Sequence, residues 1–149
     1  MTHNLMRLAM LLERRYAPYP KWFGSSFSRL PCATGLSPLL EQILTASDWR
    51  EREEHILSAV RFLAELQLAK KVPGALAPEE GALLGRPFRF IDTVKLSDGI
   101  RAEIADEQLG RLPNFGGADQ FLGNFVLAVP SWSSAAASAL FEAVLRQEP

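Results

Sequence analysis

The segment from Asp48 to about Lys71 constrains the fold more than any other part of this chain. Ile56, Val60, Leu63 and Gln67 recur at helical spacing, with Leu57, Ala64 and Leu68 beside them. Asp48 offers a carboxylate as N-cap, and Glu51 stands three residues on, as in a capping box. Lys70 and Lys71 place cations where a helix C-terminus favours them. One long helix with an apolar stripe needs neighbours to cover it, and the remaining segments supply them in helical form.

Residues 3–16 read as a largely buried helix, with Leu5, Leu8, Leu12 and Tyr16 on one face and Met6 and Met10 widening it. Pro18 and Pro20 stop that helix. Pro20 then starts a second one, which carries Phe23, Phe27 and Leu30 and ends at Pro31. Ser37 is expected to cap a short helix with Pro38 in its first turn, running to about Ala46. Residues 72–85 read as a loop, and Phe88 to Ile91 as a short extended piece. Asp92 caps a helix carrying Leu96, Ile100 and Ile104, in which Gly99 costs about 1 kcal/mol relative to alanine. Residues 110–117 form a second loop, and Ser131 caps a last helix over 133–147. The expected architecture is all-α: a single domain over residues 1–149, built as a compact bundle of about five or six helices with two Gly/Pro-rich loops.

A chain of 149 residues, 48% hydrophobic, can bury a core without disulfides or a metal. One cysteine, Cys32, and two histidines, His3 and His55, make no recognisable metal shell, so no metal and no cofactor is expected. Sixteen basic against seventeen acidic residues argue against a nucleic-acid partner held by bulk charge. The N-terminus lacks the small-residue cleavage site of a signal peptide. Residues 120–141 carry no formal charge and are long enough to span a bilayer, but Asn124, Pro130 and four serines favour a loop and a surface helix. The expectation is a cytoplasmic protein that engages no membrane, with Cys32 reduced.

The richest segment runs from Glu13 to Gly24. It sets Arg14, Arg15, Tyr16, Tyr19, Lys21 and Trp22 around two prolines that stiffen the backbone. Arginine offers a planar fork for an anion, and Tyr and Trp offer faces for stacking, so the segment suits an anionic or aromatic ligand. The structural alternative is a helix junction closing a core, with Arg14 or Arg15 paired to Glu13 or to a helix end. In Asp48-Trp49-Arg50-Glu51-Arg52-Glu53-Glu54, the spacing pairs Arg50 with Glu54 across one helical turn. Gly116-Gly117-Ala118-Asp119-Gln120-Phe121 combines close backbone approach with a carboxylate able to move a proton, or else is a glycine turn capped by Asp119. Arg86-Pro87-Phe88 is a similar candidate. No phosphate-binding glycine loop, nucleophile elbow or paired Asp-x-Asp is present.

The run Leu11-Leu12-Glu13-Arg14-Arg15-Tyr16-Ala17-Pro18-Tyr19-Pro20-Lys21-Trp22-Phe23-Gly24-Ser25-Ser26-Phe27-Ser28-Arg29-Leu30 resembles the DUF4037 family. That family is a helical domain of bacterial proteins, usually C-terminal to a nucleotidyltransferase-like domain. The resemblance continues through Trp49-Arg50-Glu51-Arg52-Glu53, Arg86-Pro87-Phe88 and Gly117-Ala118-Asp119-Gln120-Phe121. The chain departs from the family at Leu84-Gly85, where a histidine is expected. It departs again after Phe121, where Gly123, Asn124 and Phe125 replace aspartates. The resemblance implies the helical fold. The expectation is a stand-alone domain without the nucleotidyltransferase domain, so nucleotidyl transfer is not carried over.

Two functions follow as expectations. In the first, the stand-alone domain is a metal- and cofactor-free acid–base enzyme of lyase, isomerase or cyclase type. It would act on a small organic substrate in biosynthesis, and the Ala-, Leu- and Arg-rich composition suggests a bacterial source. Asp119, Tyr16, Tyr19 and Lys21 would handle protons, and Arg15, Trp22, Arg86 and Gln120 would hold the substrate. In the second, the domain is a non-catalytic accessory subunit of a separate nucleotidyltransferase-like partner. A homo-oligomer is compatible with either.

Overall fold

The structure, a computed structural model, describes residues 1–82, 85–111, 138, 139 and 142. The chain divides into two compact units, Met1–Glu103 and Ile104–Pro149. The first holds α1 (Thr2–Leu12), α2 (Pro20–Phe27), α3 (Ala33–Thr45), α4 (Trp49–Ala69), β1 (Glu80–Ala82), β2 (Arg89–Ile91) and α5 (Thr93–Ala102). In the second, α6 (Glu107–Arg111) is capped by Asp106, whose Oδ1 accepts from the amides of Gln108 and Leu109. Ser138, Ala139 and Glu142 are also helical, and the rest of the expected last helix lies outside the described residues. The described residues are mostly helical, with one small two-stranded sheet among them that an all-α description omits.

The long helix forms as its sequence predicts. Asp48 Oδ1 accepts from the amides of Arg50 and Glu51 at 2.7 and 3.0 Å. Glu51 reaches back one residue further than in a standard box, accepting from the Ser47 amide and hydroxyl. α4 is central because two of its faces are covered. Ala59 and Leu63 join the larger core, with Leu5, Ala9 and Met10 of α1, Phe23 and Phe27 of α2, and Leu36 and Leu40 of α3. Leu57 and Ala64 face the other way and meet Ile91 of β2 and Leu96 of α5. Leu68, expected beside the stripe, is exposed, because the helix nears its end there.

Several boundaries move. α1 stops at Leu12, so Tyr16 leaves its buried face and stands fully exposed. α3 begins at Ala33 rather than at Ser37, which places Pro38 inside the helix. The missing N–H and ring clash cost roughly 3 kcal/mol in a helix interior. Burial of Ala33, Leu36 and Leu40 offsets this, at about 1.5–3 kcal/mol per large side chain. The 72–85 loop contains β1, paired antiparallel with β2 in the register Glu80↔Ile91 and Ala82↔Arg89. Glu54 pairs with Arg89 rather than with Arg50, whose guanidinium lies 4.4 Å over the Trp49 ring. Arg89 also meets Glu80, and Glu80 pairs with Arg61, so the hairpin is fastened to α4 by charge. α5 ends at Ala102 and leaves Ile104 beyond it, while α6 takes Gly110, expected in the second loop.

α1 and α4 end in the same motif. The amide of Arg15 donates to the Met10 carbonyl and that of Arg14 to Leu11; those of Val72 and Lys71 donate to Gln67 and Leu68. These are Schellman closures, with Arg14 and Lys71 in the left-handed position usually given to glycine, both at φ 53°. Among the described residues, no helix is long and apolar enough to cross a membrane. The uncharged 120–141 stretch lies outside them, apart from Ser138 and Ala139.

Candidate functional site

Beside the smaller core, α1, α4 and α5 do not close completely. They leave a cavity of about 310 Å³ between Leu5 and Leu8 of α1, Leu63 and Gln67 of α4, and Leu96, Ser97 and Ile100 of α5. Its lining carries no charged side chain. The third wall is positioned by a backbone crossing. β2 lies beside the first half of α4, where the Arg89 amide donates to Glu53 at 3.0 Å. The end of α5 lies at Gly74, just past the end of α4, so the two helices run in the same sense. Gly74, at φ +70°, sits so close to Gly99 that a Cβ there would lie 2.0 Å from the Gly99 carbonyl oxygen. Gly99 therefore has a packing role that compensates its poor helix propensity.

Gln67 is the one polar residue in the buried core of the described residues, at 8% exposure. Its Oε1 is sealed from water and has no donor among the described residues. An orphan of this kind costs about 1–3 kcal/mol. The sequence contained the signal, an amide four residues after Leu63 on an apolar stripe, where a hydrophobic residue would be expected. Its fit to the helical stripe masks that signal.

The residues singled out from sequence are placed elsewhere. Arg15 and Tyr16 line a shallow cavity of about 290 Å³ with Met10, Ser26 and Arg29. Tyr19, Lys21 and Trp22 are exposed at the start of α2, with Lys21 Nζ 5.8 Å from the Trp22 ring centre. Arg86 is exposed in the turn between β1 and β2. Asp119 and Gln120 lie outside the described residues, and so does the expected meeting of Asp119 with the Arg15–Lys21 segment. Among the described residues, no three His, Cys, Asp or Glu side chains gather as metal ligands do.

Glu13 pairs with Lys70 at 2.7 Å, not with Arg14 or Arg15. The Lys70 ammonium and the Cys32 thiol hold its carboxyl below the usual range. Burial, and then the Glu13 carboxylate, push the Cys32 thiol up to about 11. The folded protein therefore keeps a thiol proton that the unfolded chain releases near pH 9. Stability that is whole below pH 9 is lost as pH rises to about 11, by on the order of 2–3 kcal/mol. The urea midpoint should fall over that window, and Cys32→Ala should flatten the fall. Equal slopes for the two proteins would refute the coupling. The cavity flanking this pair, about 560 Å³, is lined by Glu13, Arg14, Lys70 and Lys71 and holds its charges in mutual or solvent contact.

No protein-family profile, curated protein or solved structure gives a match to this chain.

Proposed function

We propose that the chain is a small-molecule-binding helical domain whose ligand is neutral, largely apolar and equipped with a hydrogen-bond donor. Gln67 carries this conclusion, because its oxygen, unpartnered among the described residues, lies on a residue that walls a largely apolar cavity. The terminal torsion of a glutamine is soft, so a small rotation offers Oε1 to an arriving hydroxyl or amide N–H. A volume of about 310 Å³ falls at the lower edge of the range for ligand sites. Binding is better supported than turnover. Tyr16, Tyr19 and Lys21 stand in solvent and provide no water-excluded place for proton transfer. Cyclisation, isomerisation or elimination would then depend on Asp119.

The test uses hexanol and Gln67→Leu. The leucine removes the orphan without opening a void, so the variant should be more stable by about 1–3 kcal/mol in urea. Hexanol should raise the melting temperature of the native chain, and that rise should vanish in Gln67→Leu. A destabilised variant with an unchanged hexanol response would remove Gln67 from the site.

A second function is favoured by one observation. Tyr19 and Trp22 are both largely exposed at the start of α2, and such residues commonly anchor protein interfaces. In an accessory subunit of the kind suggested by the DUF4037 resemblance, this surface would meet the nucleotidyltransferase-like partner.

A further inference from the structure

We infer that the ligand is a long linear molecule with a neutral polar head, lying along α4 from Gln67 to the Trp49–Phe88 pair; this rests on the small-molecule function proposed above. A second apolar cavity, about 460 Å³, lies nearer the start of α4. Its walls include Trp49, Ile56 and Leu57 on one side, and Phe88, Phe90 and Ile91 on the other. It shares Val60 and Thr93 with the Gln67 cavity, so the two adjoin there. The α4 side chains that wall them, from Glu53 through Val60 to Gln67, follow a single stripe. At 1.5 Å per residue that stripe is about 21 Å long. A compact ring system would fill one cavity and leave the other empty, whereas an extended chain contacts both.

The two ends differ in chemistry. At the far end, Trp49 meets Phe88 edge-on, with ring centres 5.2 Å apart, and offers aromatic surface to a hydrocarbon tail. The two side-chain cations lining that end are already engaged. Arg52 donates to the carbonyls of Ile43 and Ala46, and Arg89 pairs with Glu53, Glu54 and Glu80. The Gln67 cavity has no cation in its lining, so a fatty carboxylate placed with its head there would face only an acceptor. At the near end Gln67 supplies an acceptor. Ser97, whose hydroxyl donates to the Val94 carbonyl, retains lone pairs as a second acceptor. This selects a long-chain alcohol or primary amide, head at Gln67 and tail at Trp49.

The experiment uses the full chain with Trp22→Phe and Trp132→Phe, leaving Trp49 as its sole tryptophan. The probes are hexadecanol and hexanol, each with bromine on the last carbon, where it quenches a neighbouring indole. Both should bind, and Gln67→Leu should weaken both about tenfold or more. Only the long probe should quench Trp49, by at least half at saturation. Binding of the long probe without quenching, or equal quenching by both, would overturn the extended pose and leave the small-molecule function standing. Hexadecanoate binding as tightly as hexadecanol would overturn the neutral head group. Failure of both probes to bind would overturn this proposal together with the function beneath it.

Discussion

Gly74→Ala should destabilise the first unit by at least about 3 kcal/mol, far more than Gly85→Ala. Both glycines have a left-handed backbone, at φ +70° and +73°. An L-residue there costs roughly 1–2 kcal/mol from its own Cβ. At Gly85 that is the whole effect, because no described residue lies within 4 Å of the new atom. At Gly74 the Cβ would also drive into the Gly99 carbonyl, and backbone cannot step aside as a side-chain tip can. The urea midpoints of the two variants check this directly. Equal losses would mean that the crossing is looser than described and that α5 is not fixed by it.

Leu36→Ala should cost about 2–5 kcal/mol, the span typical of a leucine deleted from a closed core. Leu36 is wholly buried on α3, within the cluster that α1, α2 and α4 complete, so the surroundings have little room to collapse into the void. Leu44, on the same helix but largely exposed, is the control, and Leu44→Ala should stay within about 0.5 kcal/mol. A small loss at Leu36 would place that face of α3 outside the core.

What the sequence made legible follows how local the cause was. Asp48 and Glu51 act within one turn, so the start of α4 was visible. The burial of Leu63 and Ala64 followed from period alone, and Asp92 marked α5 in the same way. Pro38 misled because its local penalty was overcome by distant partners of Leu36 and Leu40. β1 is three residues long and carries no usable period; Arg61 and Arg89 pin it from elsewhere in the chain. Gly99 is a plain weakness within its own helix, and only its packing against Gly74, distant in sequence, accounts for it. The candidate site was less legible still. The dense Arg-Tyr-Trp run is the most conspicuous feature of the sequence, yet the fold leaves most of it in water. Gln67 was hidden by fitting the helical stripe so well, and its significance is a missing partner, which no single segment can reveal.

The two cores on α4 are unequal, and that inequality bears on exchange with the surroundings. Thirteen buried residues hold α1 to α4 together, whereas four hold β2 and α5 against the opposite face. Fluctuations that lift the smaller assembly expose less apolar surface, so they cost less and recur more often than global unfolding. Each such excursion would unroof the α4 stripe while the larger core stays shut. Residence time of a bound molecule would then be set by the frequency of this breathing rather than by the width of any permanent opening.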